Sequence, residues 1–309
     1  MDFIEIAIID IDGEAAEAVG ELFNRYGYGG AVMESYAPHF DKVTVRTVIP
    51  SEDDYRLREI EVMLALIGQA LPSSLPEPRL QFVGKSDWAE SWKAHFHPVR
   101  VGRRFVIKPS WREYTPVPND LVIEIDPGLA FGSGLHPTTQ LCLKILEDLP
   151  LHSKSFFDVG TGSGVLALAA LKLGAQPVRA VDIDEVAVRV ARENFERNGY
   201  PLTGKALSGF ENLTGLKEKV TGIETAVGSA LDRGGRPWQI VVANILAHIL
   251  MDLMPDLAAA LAPDGQLILS GLLAEQEMGV ITAAAAQGLH LVDRRTDEDW
   301  VVLIVTRVA

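Results

Sequence analysis

The chain has 309 residues, 48% of them hydrophobic and 23% charged, which is typical of a globular protein with a sizeable core. Its formal net charge of −14 argues against a function based on attraction to the phosphate backbone of nucleic acid. The charge suits a basic partner, although a role in solubility alone explains it equally well. At roughly 150 residues per domain, the length predicts two domains.

Cysteine usage and hydropathy predict a cytoplasmic protein. Cys142 is the single cysteine, so no disulfide can form within the chain. No apolar run reaches the ~18 residues of a membrane-spanning helix, and the acids Asp2 and Glu5 stand where a secretory signal needs basic residues. We expect no membrane partner and, without an obvious self-pairing surface, a monomer.

The pattern of residues 1–84 predicts a small α+β domain. Its strands and helices follow the order βαββαβ, at residues 3–10, 14–26, 31–36, 42–49, 53–69 and 80–83. This order is typical of a ferredoxin-like unit. The segment carries no cluster of histidines, cysteines or acids that looks like a catalytic site, so it fits recognition better than chemistry.

The pattern of residues 85–100 predicts a helical linker. Three aromatic side chains spaced four residues apart share one face of the helix: Trp88, Trp92 and Phe96. These aromatics either pack the helix against the rest of the protein or line one side of a substrate channel. His95 and His97 point to different sides of the helix and have no third ligand nearby, so we expect no bound metal.

The segment after the linker, residues 101–309, contains a loop rich in glycine and proline. Residues 126–139 include three glycines and two prolines, which indicates a shaped, functional loop. Pro137 begins the next helix, with Thr139 in its first turn. The free N–H groups at a helix start suit a carboxylate ligand, and a purely structural cap is the alternative.

The centre of the chain reads as a strand, a glycine turn, a helix and a second strand. The first strand ends at Asp158, the glycines Gly160 and Gly162 follow, and the second strand ends at Asp182. Glycines allow a tight turn whose backbone can lie against a ligand. Asp182 follows Gly160 by 22 residues, close to the spacing expected of an acid that binds both ribose hydroxyls.

The glycine spacing distinguishes between nucleotide ligands. A dinucleotide site needs the pattern G-x-G-x-x-G, whereas this chain has G-x-G-x-G and places Val165 at the position of the third glycine. A pyrophosphate therefore loses its usual position. A nucleoside without phosphate, such as S-adenosylmethionine, fits better than the cofactor of a dehydrogenase.

The remaining strands complete an α/β sheet. Strands are predicted at 223–227, 238–244 and 266–270, and two closing strands at 290–293 and 300–305 are joined by a short turn and must be antiparallel. The carboxyl ends of parallel strands face the ligand crevice. Asp158, Asp182 and Asn244, which ends the fourth strand, should therefore converge at one edge.

This arrangement resembles the class I methyltransferase fold, a Rossmann-like seven-stranded sheet with an antiparallel last strand. Four segments resemble, more closely, the ribosomal protein L11 methyltransferase (PrmA) family: residues 87–98, 126–139, 158–164 and 244–247. The resemblance covers nearly the whole chain. It implies a substrate-recognition domain at 1–84, a linker at 85–100 and a methyltransferase domain at 101–309.

The resemblance also implies a cofactor and its contacts. S-adenosylmethionine would be held by Thr139, Gly160, Gly162, Asp182 and Asn244. Asp182 would take the ribose hydroxyls, Thr139 would lie near the methionine end, and Asn244 would accept a hydrogen bond from the amine beside the transferring methyl. The sulfonium is already an activated methyl donor, so no side chain is assigned as an obligatory base, with Asp126 a candidate exception.

The implied reaction is methylation of lysine side chains and the N-terminal amine of ribosomal protein L11. The alternative is a class I methyltransferase acting on a lysine of another protein. A small-molecule substrate is less suitable, because a free metabolite needs no docking domain. A dehydrogenase conflicts with the glycine spacing, and a non-enzymatic binding module with the full set of cofactor-type residues.

Overall fold

The computed structural model describes residues 3–27, 31–36, 39–71, 75–83, 97–126, 136–202 and 222–307. The chain divides into two compact units. The described residues of the first unit end at Val83, and those of the second begin at His97.

The first unit is a sheet of four antiparallel strands with two helices. Its elements are β1 (Phe3–Ile11), α1 (Gly13–Tyr26), β2 (Val32–Tyr36), β3 (His39–Pro50), α2 (Asp54–Ala70) and β4 (Arg79–Val83). The strand order β2-β3-β1-β4 confirms the predicted ferredoxin-like unit. Asp12 and Asp53 cap the two helices, accepting hydrogen bonds from Ala15 N at 2.9 Å and Arg56 N at 3.0 Å.

The second unit begins with a small sheet of three strands. These are β5 (Val99–Val101), β6 (Phe105–Lys108) and β7 (Leu121–Glu124). Strand β6 pairs antiparallel with β5 and parallel with β7. Asp126 lies two residues after the end of β7, so this sheet positions Asp126, the first residue of the glycine- and proline-rich loop.

The main sheet has seven strands in the order β10-β9-β8-β11-β12-β14-β13. They are β8 (Phe156–Val159), β9 (Val178–Asp182), β10 (Ile223–Val227), β11 (Trp238–Asn244), β12 (Leu261–Leu273), β13 (Leu289–Asp297) and β14 (Trp300–Arg307). Strands β8 to β12 are parallel, and β14 lies antiparallel between β12 and β13. The predicted class I methyltransferase sheet, with its antiparallel last strand, is confirmed.

Helices cover both faces of this sheet. They are α3 (Pro137–Asp148), α4 (Val165–Lys172), α5 (Glu185–Arg197), α6 (Ala247–Ala260) and α7 (Glu277–Ala286). Helices α3, α4 and α5 pack in one apolar cluster and α6 and α7 in the other. Successive strand residues alternate between the clusters, so Phe156 packs on one face and Phe157 on the other.

Strand β12 is longer than the predicted strand at 266–270. Leu261 pairs with Trp238 of β11, and Leu272 and Leu273 pair with β14 beyond an irregularity in the register. Cross-strand pairing therefore extends the strand at both ends, through Asp264 and Gly265, although that dipeptide by itself favours a turn. Within the described ranges, no helix combines the length and apolarity needed to cross a membrane.

Candidate active site

Three polar residues lie at the carboxyl ends of adjacent parallel strands. Asp158 lies in β8, Asp182 ends β9 on one side of it, and Asn244 ends β11 on the other. In the register, Asp158 lies opposite Ala180 and Val242. The predicted convergence at one sheet edge is therefore confirmed.

The glycine turn after β8 is folded in a way that requires glycine. Gly160, Gly162 and Gly164 have φ angles of +73°, +55° and +85°. The amides of Gly160 and Thr161 both donate to the carbonyl of Val181, at 2.9 and 3.0 Å, which holds the turn against β9. A Cβ on Gly160 would collide with Cγ2 of Ile245. Gly160 packs against Ile245, and Gly160 and Gly162 both remain partly exposed.

Gly160→Ala should lower the free energy of unfolding by about 3 kcal/mol, from the left-handed backbone penalty plus overpacking. Gly288 has the same φ of +73° and nothing within 4 Å of an added Cβ. Gly288→Ala should therefore cost only the backbone part, about 1 kcal/mol. Urea unfolding of both variants measures the difference, and equal losses would show that the contact with Ile245 is unimportant.

Asp182 is held rigidly by two backbone amides. Gly162 N donates to its Oδ2 at 2.9 Å and Asp184 N donates to its Oδ1 at 3.0 Å. Each carboxylate oxygen keeps a lone pair for another donor. Ile183, the next residue, is a 77%-exposed apolar side chain at the same strand end. Only its position after the strand-ending acid could have singled it out in the sequence.

Asp158 lies beneath the glycine turn rather than at its surface. Its side chain is buried, and Oδ2 accepts hydrogen bonds from Thr161 Oγ1 at 2.7 Å and Ala167 N at 3.2 Å. Among the described residues, Oδ1 is buried without a hydrogen-bond partner. Burial raises the pKa of this carboxyl to about 7, although Thr161 and Ala167 favour the ionised form; the Asp182 charge adds to the rise.

Thr139 and Asn244 are brought together from positions 105 residues apart. The Asn244 side-chain amide donates to the buried Thr139 Oγ1 at 3.2 Å. Because its NH₂ group is engaged there, the carbonyl oxygen of Asn244 is the part of the side chain that can accept from a ligand. Pro137 begins α3, as predicted.

The start of α3 also has a structural cap. His136 Nδ1 lies 2.7 Å from Thr138 Oγ1 and accepts from Thr138 N at 3.4 Å. The His136 ring packs edge-on against Trp300, with centroids 4.9 Å apart. Burial lowers the pKa of His136, so the neutral ring that can accept this bond is favoured. One amide of the helix start is therefore already satisfied.

Asp126 forms an ion pair at the base of its loop. Ser110 N and Oγ donate to it at 2.6 and 3.0 Å, and Arg197 Nη1 lies 2.9 Å from its Oδ2. Its carboxylate is therefore already occupied by a guanidinium and two hydrogen bonds. This environment suits a positioning residue better than a base.

Several predictions lie outside the described residues. They concern the aromatic face of Trp88, Trp92 and Phe96, together with His95, and the part of the loop at 127–135. Over the ranges that are described, no group of three or more histidines, cysteines or acids could hold a metal ion.

The sheet topology, the glycine turn and the strand-ending acid together define a class I methyltransferase that uses S-adenosylmethionine. The residues present fit this cofactor, because the glycine turn and an acid with free lone pairs lie at the same edge of the sheet. A family model described as Ribosomal protein L11 methyltransferase (PrmA) matches residues 2–308. The chain belongs to this family.

Two relatives match nearly the full length of this chain, and one solved structure matches about two thirds of it. The ribosomal protein L11 methyltransferase of Chloroflexus aurantiacus is 39% identical, covering 99% of this chain and 98% of the relative. That of Herpetosiphon aurantiacus is 38% identical, covering 97% and 98%. The crystal structure of ribosomal protein L11 methylase from Lactobacillus delbrueckii subsp. bulgaricus is 34% identical with a TM-score of 0.59, covering 69% of this chain and 100% of that chain.

Proposed function

We propose that this protein transfers methyl groups from S-adenosylmethionine to lysine side chains and the N-terminal amine of ribosomal protein L11. The observation that carries the proposal is the extent of the family match, which includes residues 2–308 and so both compact units. An enzyme that shared only the methyl-transfer chemistry with this family would need to match the family model over the second unit alone. Methylation of a lysine of another protein remains the second candidate.

We assign the cofactor contacts to five residues: Thr139, Gly160, Gly162, Asp182 and Asn244. The free lone pairs of Asp182 accept the two ribose hydroxyls. Gly160 and Gly162 have positive φ angles and no side chain, so the turn lets a ligand approach the backbone closely. Thr139 lies towards the methionine end and holds Asn244. The cofactor supplies an activated methyl group on a sulfonium, so the chain's own task is to bind and orient.

The accepting amine must reach the site uncharged and aligned. A free lysine has a pKa of ~10.4, and removal from water beside a cation lowers it, since both effects disfavour the ammonium form. The carbonyl oxygen of Asn244 accepts one amine hydrogen and directs the lone pair towards the methyl group. This scheme needs no side chain as general base.

We further propose that residues 1–84 recognise the protein substrate, that 85–100 form the linker and that 101–309 carry out the chemistry. Residues 1–84 contain 15 acidic and six basic side chains, a net charge of −9 out of −14, which suits a basic ribosomal protein. Strand β4 is an edge strand of its sheet. Its alternate residues Leu80 and Phe82 are 48% and 78% exposed, so they offer an apolar contact.

Phe82→Asp should raise the KM for L11 about tenfold and leave kcat unchanged, because a carboxylate buried at the contact is costly. Met278→Asp is the matched control, since Met278 is an equally prominent apolar side chain, 69% exposed, in the second unit. Steady-state methylation with L11 as the varied substrate measures both. An unchanged KM for Phe82→Asp would remove β4 from the recognition surface.

The proposed function is tested by intact-mass spectrometry of purified L11 after incubation with this protein and S-adenosylmethionine. We expect mass gains in methyl steps, and peptide mapping should place them on lysines and the N-terminus. No gain, with the cofactor still bound in a separate titration, would exclude L11 and favour another protein substrate. Gains on residues other than amines would overturn the assignment of Asn244.

A further inference from the structure

Two side chains at the end of α5, Asn194 and Arg197, connect the glycine turn to Asp126. Asn194, which is 2% exposed, donates from Nδ2 to the carbonyl of Ser163 at 2.9 Å. Its Oδ1 accepts from Arg197 Nη1 at 3.3 Å, and the same Nη1 lies 2.9 Å from Asp126 Oδ2. Ser163 lies between Gly162 and Gly164, so this connection ends in the turn itself.

We infer that Asn194, Arg197 and Asp126 are positioning residues for the glycine turn, and through it for cofactor binding. The guanidinium has no acceptor, so it fixes Asn194 with the carbonyl oxygen towards Arg197 and the NH₂ group towards Ser163. Asp126 orients Arg197, and Ser110 orients Asp126 with two hydrogen bonds. Each group determines the orientation of the next, as outer partners do around a binding site.

The turn also rests on α5 through packing. An added Cβ on Gly164 would lie 2.7 Å from Cε1 and Cζ of Phe195, the residue after Asn194. The end of α5 therefore contacts the turn in two ways. Phe195 packs against Gly164, and Asn194 donates a hydrogen bond to the carbonyl of Ser163. The residue before Ser163 is Gly162, whose amide donates a hydrogen bond to Asp182 Oδ2. A shift at Ser163 moves the amide that orients the strand-ending acid.

The expected effect is on binding more than on folding. The side chains of Arg197 and Asp126 are 33% and 27% exposed, and ion pairs in such places contribute little to stability because water screens them. Cofactor affinity is more sensitive than stability to the orientation of the glycine turn. At metal sites, loss of such an outer partner typically costs 10- to 100-fold in affinity. The inference rests on the cofactor assignment within the proposed function, and it is independent of which protein is methylated.

The test is calorimetric titration of S-adenosylmethionine into four variants: Arg197→Met, Arg197→Lys, Asp126→Asn and the double variant Arg197→Met/Asp126→Asn. We expect Arg197→Met to weaken binding about tenfold, and Arg197→Lys to recover most of it. Asp126→Asn should act similarly, and the double variant should be no weaker than the single variants, because the residues act in one line. Urea unfolding should stay close to wild type.

Arg294→Met is the matched control. Arg294 makes a two-pronged ion pair with Glu277, at 2.7 and 2.9 Å, with its side chain 43% exposed. Its loss should leave affinity unchanged. Wild-type binding of the cofactor by Arg197→Met, or independent losses that add in the double variant, would overturn the inference. Absence of binding by the wild-type protein would instead overturn the cofactor assignment itself.

Discussion

Asp182→Ala should weaken the binding of S-adenosylmethionine by at least about 100-fold. The side chain is oriented by the amides of Gly162 and Asp184 and presents lone pairs to a ligand. Hydrogen bonds to a charged acceptor contribute about 1.5–3 kcal/mol each, so losing two costs about 3 kcal/mol or more. Every 1.4 kcal/mol is about tenfold in affinity. Calorimetric titration measures the change directly.

Asp184→Ala is the control for this prediction. It removes a second acid two residues away, whose Oδ1 caps α5 by accepting from Val186 N at 2.8 Å. Loss of a cap should lower the free energy of unfolding by about 1 kcal/mol and leave cofactor affinity nearly unchanged. If Asp182→Ala bound the cofactor as tightly as Asp184→Ala, the ribose assignment would be wrong and the crevice would need another acid.

Asp158→Asn should remove a pH dependence of stability. The folded-state pKa of Asp158 is about 7 because the group is buried, against an ordinary value of 3.8. Between these values the folded carboxyl stays protonated while the unfolded one ionises, so the free energy of unfolding falls as pH rises towards 7. A difference of about 3 pKa units corresponds to roughly 4 kcal/mol over that range. Above pH 7 both states are ionised and the dependence ends.

Urea unfolding at several pH values from about 4 to about 8 tests this expectation. Asn imitates the neutral carboxyl, so the variant should show a flatter profile and gain relative stability towards pH 7. Asp252→Asn, at an exposed position of α6, controls for the removal of one charge. Parallel profiles for wild type and Asp158→Asn would mean that Asp158 is ionised in the folded protein throughout.

Local patterns were sufficient wherever the signal lies within one or two elements. The glycine turn between β8 and α4 and the acid ending β9 are encoded within about 25 residues, because backbone conformations with positive φ need glycine and strand ends are marked by polar residues. The same holds for the ferredoxin-like order of the first unit and for Pro137 at the start of α3.

Contacts between distant segments were decided by the tertiary structure. Asn244 meets Thr139 across 105 residues because β11 and α3 reach the same sheet edge, and Arg197 meets Asp126 because α5 ends beside β7. Asp158 looked like a crevice acid, yet the turn folds over it and leaves one oxygen buried without a partner among the described residues. Nothing in its flanking sequence signals that burial.

The sequence by itself determined the class of this protein and its cofactor, since periodicity, glycine spacing and strand-ending acids act over short distances. Only the tertiary structure decided which side chains contact and orient one another. Ile245 lies against Gly160, Asn244 holds Thr139, and Asn194 supports the turn through Ser163. Such pairings depend on how the helices pack on the sheet, a property of the whole unit that no single segment specifies.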